Sequence, residues 1–219
     1  MKEIVIFGLG DIAQIANYYF DIDSDYKVAA FTVDNDYKEV DEFEGLPVVA
    51  FEEVVEKYPP SKYDMFIALS YAQMNKVREQ KYHAAKEKGY TLASYISSHC
   101  TYLSQFEAGD NCFIFEDNTI QPFVKIGSNV TLWSGNHIGH HSVIEDHNFV
   151  SSHVVISGHC VIESNCFLGV NATIGHKVTV RKETLLGAGA VVSRSTAEKG
   201  IYVPARTVKL DKTSDQVKL

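Results

Sequence analysis

From Ile114 to Val192 an aliphatic side chain returns at every sixth position: Ile114, Ile120, Ile126, Leu132, Ile138, Ile144, Val150, Ile156, Ile162, Leu168, Ile174, Val180, Leu186 and Val192. The run makes fourteen consecutive hits with no insertion. Ile, Leu and Val together fill roughly a fifth of an average chain, so chance does not produce it. Four residues after these positions the side chains are again mostly small or apolar, at Val124, Val130, Val154, Cys160, Cys166, Ala172, Val178 and Ala190. Both positions are predicted to face inward. A helix repeats its apolar face every 3.6 residues and a strand every two. A period of six belongs to neither and predicts a coil built from short flat strands.

Hexapeptide repeats predict a parallel β-helix, in which neighbouring coils bury a continuous aliphatic stack. The run resembles the left-handed hexapeptide-repeat acyltransferases, whose coils use three hexapeptides, or eighteen residues, per turn. That resemblance implies a left-handed coil, against the usual chirality of parallel crossovers. It also places Ile120, Ile138, Ile156, Ile174 and Val192 in one vertical stack.

The first hundred residues follow another pattern. The opening KEIVIFGLGDIAQIANYYF is an apolar strand, a Gly-x-Gly-x-x-Ala turn and an amphipathic helix, the order of a nucleotide-binding fingerprint. Gly8 and Gly10 permit the tight turn, and Ala13 allows close helix packing. A second strand, YKVAAFTVDND, ends in Asp34 and Asp36, where such folds place a ribose or base contact. DMFIALS is a third strand, NKVREQKYHAAKEKGY a helix, and TLASYI a fourth strand. The alternation predicts a small Rossmann-like α/β domain over residues 1–100, followed by the β-helix and a C-terminal tail over 101–219. The glycine motif alone does not separate a ligand-binding turn from a structural one. The unit is short for a complete dinucleotide fold, so the expected ligand is a mononucleotide or nucleotide sugar rather than NAD, held by Gly8, Gly10, Asp11, Ile12, Asp34 and Ser70.

The chain has 219 residues and a net charge of −8. That acidity disfavours nucleic acid, which needs a basic face. No apolar run approaches twenty residues, and the start lacks a basic segment followed by an apolar one. A cytoplasmic protein without membrane association is expected. Cys100, Cys112, Cys160 and Cys166 form no Cys-x-x-Cys pair and are predicted to be reduced packing residues.

Seven of the nine histidines lie between His137 and His176. Most suit polar turns on a solenoid surface. His140 stands apart: it follows the inward Ile138 by two, on an outward corner, and the residue one coil later is Gly158. Adjacent strands lie about 4.8 Å apart, so a base and a backbone amide without a side chain are stacked. Acyl transfer from a thioester needs a base for the attacking amine or hydroxyl and a donor for the developing oxyanion.

With NHIGHHSVIEDH, CFLGVNATIG, LLGAGAVVSRS and VPAR behind a βαβ unit, nearly the whole chain resembles the sialic acid O-acetyltransferase and nucleotide-aminosugar N-acetyltransferase family. The resemblance implies a homotrimer, acetyl-CoA in the groove between subunits, and a nucleotide sugar on the N-terminal domain. It matches the catalytic histidine to His140 and the amide that contacts the thioester carbonyl to Gly158. The family's histidine is often followed by Asp or Glu, whereas His141 follows here. Asp146 or Asn136 is then the candidate to orient His140, with His141 orienting or contacting the sugar. The acid pair that commonly closes the second strand is Val33-Asp34 here, which leaves Asp34 as the base contact. For coenzyme A, the backbone at Gly158, Gly169, Gly187 and Ala188 is expected to meet the pantetheine, and Arg206, Arg181 or Lys182 the phosphates.

The expected activity is N-acetylation of a UDP- or dTDP-linked deoxyamino sugar by acetyl-CoA. Sugar O-acetylation is the nearest alternative. A γ-type carbonic anhydrase shares the solenoid but needs three convergent metal ligands, and its His, twenty-two residues, His-x4-His spacing is not found, so no metal is expected. A nucleotide-sugar binder without catalysis is the remaining class.

Overall fold

A computed structural model describes residues 2–209, 211 and 213–216. The N-terminal unit comprises β1 (Lys2–Phe7), α1 (Asp11–Ile22), β2 (Tyr26–Val33), β3 (Glu42–Phe43), β4 (Leu46–Ala50), α2 (Val54–Lys57), β5 (Tyr63–Ile67) and α3 (Lys76–Glu87). Its sheet runs β3-β4-β2-β1-β5, parallel except for β3 against β4. Ile4 and Ile6 pack under α1 with Ala13, Ala16 and Phe20, while Val5 and Phe7 face α3 through Tyr82 and Ala85. This alternation is what a strand covered on both faces requires. The hairpin of β3 and β4 extends the sheet beyond the predicted strands.

The fourth predicted strand divides. Leu92 bridges Met65 beside β5, but Tyr95–Ile96, which is β6, pairs with Phe113–Ile114 of the solenoid. Tyr95 is buried among Tyr19, Phe20 and Phe113. β7 (Thr101–Tyr102) pairs with Thr119–Ile120, so the β-helix is already under way on both sides of residue 100.

The solenoid stacks two-residue strands into three parallel sheets, each strand pairing with one eighteen residues on: Leu132 with Val150, Ile138 with Ile156, Ile144 with Ile162. The sheets have seven, six and four strands. The three-faced coil fits a left-handed β-helix. All fourteen aliphatic repeat positions are buried in one cluster. The inward small positions that are not apolar carry buried polar side chains instead, including Asn118, Asn136, Ser142 and Asn148. They satisfy the turns: Asn136 Oδ1 accepts Val154 N–H at 2.7 Å, and Asn148 Oδ1 accepts Cys166 N–H at 2.7 Å.

Every sixth residue from Asn111 to Gly189 sits at a corner with φ between 52° and 75°. Among residues with a side chain, Asn, Asp and His tolerate this left-handed region best. His141, His147, His153 and His159 hold four of these corners, so backbone geometry accounts for more than half of the crowded histidines.

Arg78 of α3 joins the two units. It is 2 % exposed, and its guanidinium donates to Asn129 Oδ1 (3.2 Å) and to the carbonyls of Ser70 (3.1 Å), Asn129 (3.2 Å), His147 (3.4 Å) and Asn148 (3.0 Å). Burial pushes its pKa down to about 10, so it stays cationic at neutral pH. Tyr71 packs edge-on against Phe149 and tilted against Phe167, with centroids at 5.0 and 4.6 Å. The four cysteines are free, as expected, and three of them are buried. Among the described residues no helix is long and apolar enough to cross a membrane.

Candidate active site

His140 lies at the corner between Ile138 and Val143–Ile144, and Gln121, one coil away, fixes its backbone by accepting its N–H at 2.8 Å. Its ring lies over Gly158: a Cβ built on that glycine would meet His140 Nε2 at 2.7 Å and Cε1 at 2.8 Å. Any side chain at 158 would push the imidazole aside.

The amide of Gly158 is also uncapped. At three places on the solenoid the residue after an inward aliphatic caps a backbone N–H nineteen positions on: Gln121 caps His140, Glu145 caps Ser164 at 3.1 Å, and Glu163 caps Lys182 at 2.8 Å. For Gly158 the capping residue would be Gly139, which has no side chain. A Cβ there would stand 2.5 Å from the Gly158 nitrogen. Gly158 is buried, and its N–H has no acceptor among the described residues. A buried N–H without a partner is costly and rare. Here it lies beside a histidine nitrogen. Gly169 and Ala188 repeat the relationship, with a Cβ on Gly169 falling 2.7 Å from Ala188 N.

The His140 ring contacts its sequence neighbour His141. Its Nδ1 lies 3.0 Å from His140 Nδ1. Two Nδ1 atoms share one hydrogen bond only if one is protonated. With His140 as donor, its Nε2 keeps a lone pair toward the Gly158 side. His141 is held in turn between Phe123, with centroids 4.5 Å apart, and His159, stacked at 4.8 Å and 14°. His159 meets His176 at 5.5 Å. The His159 imidazole is held below its ordinary pKa by desolvation and by the neighbouring His141, His140 and His176. The sequence-based orienting candidates are corrected: Asn136 spends its amide on Trp133 O and Val154 N–H, and Asp146 Oδ1 accepts Ser128 N–H at 2.7 Å. Neither contacts His140.

The predicted nucleotide residues gather at one edge, because β1, β2 and β5 are parallel and Gly8, Asp34 and Ser70 follow their C-terminal ends. Gly8 has φ 125°, and a Cβ would lie 2.8 Å from Ala68 O, so glycine is required there by the chain itself. Gly10 caps α1 with open space around it, and Asp11 and Ile12 form the first turn, Asp11 exposed. Asp34 Oδ1 accepts Lys81 Nζ at 2.6 Å, and Lys81 lies 5.5 Å from the Phe7 ring centroid. Ser70 is half-buried, its carbonyl held by Arg78.

Of the predicted coenzyme positions, Gly187 donates its N–H to Tyr202 O at 2.8 Å, and Val203 covers its face. Ala188 and Arg206 are exposed. Arg181 pairs with Glu163 at 2.8 Å. Sequence reasoning missed Gly139, Lys81 and Arg78. No sequence signal singles out Gly139, because glycine also follows the inward aliphatic at 127, 169, 175 and 187.

Residues 124–158 and 159–194 match the bacterial transferase hexapeptide (six repeats) family. No curated protein matches the sequence. Among solved structures, the chain is similar to a variant of perosamine N-acetyltransferase from Caulobacter crescentus in complex with CoA and GDP-perosamine, with TM-score 0.82 and 19% identity over 93% of this chain and 94% of that one. It is also similar to the acetyltransferase domain of PglB from Neisseria gonorrhoeae (TM-score 0.78, 17% identity, 93% and 97% covered). WeeI from Acinetobacter baumannii gives a TM-score of 0.79 with 20% identity, covering 93% and 97%. Residues 124–158 and 159–194 thus match a hexapeptide-repeat model, within a chain that shares its fold with these solved structures.

Proposed function

We propose that the protein transfers an acetyl group from acetyl-CoA to the amino group of a nucleotide-linked deoxyamino sugar. The observation that carries this is His140 Nε2 beside the uncapped Gly158 N–H. His140 removes the amine proton as the nitrogen attacks the thioester carbonyl. Gly158 N–H stabilises the oxyanion, and collapse expels the coenzyme A thiolate. His141 holds the tautomer. Asp34 contacts the base of the nucleotide, a UDP or dTDP sugar, across the β1–β2–β5 edge of a Rossmann-like domain. The coenzyme follows the solenoid past Gly169 and Ala188, with Arg206 toward its phosphates. The similarity to proteins solved with CoA and with GDP-perosamine supports this reading.

The active unit is a homotrimer. Within one chain the N-terminal unit contacts the seven-stranded sheet and the turns leading into it, through Tyr71, Arg78 and Tyr19. Among the described residues, nothing from that unit hydrogen-bonds or stacks on the His140 corner. A neighbouring copy is what would bring a sugar held on one unit to the histidine. Exposed Val155 (40 %) and Val191 (76 %) on the six-stranded face suit such contacts.

The test is a panel of UDP-, dTDP- and GDP-linked aminosugars, scored by coenzyme A release and a product mass gain of one acetyl group, with sedimentation of the active species. No turnover on any aminosugar, or a fully active monomer, would overturn the proposal.

A further inference from the structure

We infer that His140, His141 and His159 form a binding site for a late first-row divalent cation, nickel or copper ahead of zinc, and that the ion switches the corner off. The inhibitory half rests on the function proposed above; the binding half does not.

One ligand nitrogen from each of the three imidazoles lies within 4.8 Å of the other two. The Nδ1 atoms of His140 and His141 already face each other at 3.0 Å. With metal–nitrogen bonds of about 2.0–2.1 Å, that separation subtends about 94° at the ion. This is the cis angle of square-planar or octahedral coordination, which Ni(II) and Cu(II) prefer. His159 stacks on His141 and is exposed, so its ring is free to turn toward a shared ion.

The tautomers also fit. Without metal, one proton sits between the two Nδ1 atoms. An ion takes both lone pairs, and the His140 proton moves to Nε2, so no net proton is released from the neutral pair. His140 then has no lone pair left to accept the amine proton.

The other candidate cluster, Glu79, His83 and His147, lacks this property. His147 Nδ1 accepts from Asn129 Nδ2 at 2.9 Å, and that amide is locked because its oxygen takes Arg78 and Asn111. Nε2 of His147 is therefore protonated toward Glu79 and offers no lone pair.

The experiment is a calorimetric titration of chelator-treated, untagged protein with Ni(II) and with Zn(II), using the wild type, His141→Asn, His159→Asn and, as a control outside the cluster, His153→Asn. One ion per protomer is expected, tighter for Ni(II), with affinity at least tenfold weaker in His141→Asn and His159→Asn and unchanged in His153→Asn. Circular dichroism establishes that each variant is folded. Binding that survives His159→Asn, or no saturable binding, overturns the site. Where turnover is present, Ni(II) should inhibit in proportion to occupancy, and His159→Asn, whatever its nickel-free rate, should keep most of that rate in nickel that silences the wild type. A wild type that stays active at full occupancy overturns the switch. A protein without turnover defeats the proposed function, while the titration still decides the metal site.

Discussion

A Cβ on Gly158 would meet His140 Nε2 at 2.7 Å, so the glycine and the imidazole occupy adjoining space that admits no methyl group. The clash is with the far end of a movable side chain, and Gly158 does not have a positive φ. Gly158→Ala should therefore leave stability near wild type while lowering kcat at least tenfold. Gly139→Ala places its Cβ against backbone, and should lower both kcat and the unfolding midpoint. Steady-state kinetics with thermal melts separates the two variants.

His140→Ala and His140→Asn should lower turnover by roughly a hundredfold to ten-thousandfold, the range for loss of a general base. The side chain is exposed and outside the aliphatic core, so folding and both substrate affinities should persist. His141→Ala should cost less, because it removes an orienting contact and leaves Nε2 in place. Wild-type turnover in folded His140→Ala would contradict the assignment.

Asp34→Ala should weaken nucleotide-sugar binding by about 1.5–3 kcal/mol, the cost of a charge-assisted hydrogen bond, or roughly 10- to 150-fold. Acetyl-CoA affinity should not change. Lys81 loses its partner in the same variant, so Lys81→Met is the companion measurement. Calorimetry with each substrate checks both.

Arg78→Met leaves several buried carbonyls without their shared donor. Each buried acceptor left without a donor costs about 1–3 kcal/mol. Arg78→Lys should also be costly, since an ammonium cannot span acceptors on three chain segments. Denaturant unfolding measures the loss.

His147 gives stability a pH dependence. Burial holds its imidazole below the ordinary value, outweighing the pull of Glu79 and Asp146. Above about pH 6.5 the folded and unfolded states are both neutral at this site. As pH falls below that value, only the unfolded chain takes up the proton, so stability falls with acid, by up to about 1.4 kcal/mol per pH unit. His147→Asn tolerates the corner φ of 62° and does not titrate. Between pH 7.5 and 5.5 it should lose less stability than the wild type in urea unfolding.

The solenoid was legible because its repeat is linear: Ile120, Ile138 and Ile156 need only be counted to be stacked. The His140–Gly158 pair followed from the same eighteen-residue step. The Gly139 gap did not, because its partner lies nineteen residues away and glycine also follows the inward aliphatic in other repeats. Asp146 and Asn136 failed as orienting groups for a related reason. Periodicity fixes which way a residue points, but not which neighbouring backbone claims its hydrogen bonds. Arg78 was hidden altogether, since a cation on an amphipathic helix ordinarily faces water.

The extended segment from Thr91 to Ser97 is the outer partner of two sheets at once, by the Leu92–Met65 bridge and by the pairing of Tyr95 with Phe113. Cut away from the first ninety-seven residues, the solenoid's Phe113–Ile114 rung would lose its Tyr95–Ile96 partner and present unpaired amides and carbonyls, a template for adding strands from other molecules. That segment thus acts as a cap on the first rung of the solenoid. A solenoid expressed by itself should grow end to end into oligomers of no fixed size, and restoring residues 91–97 alone should cap much of that growth.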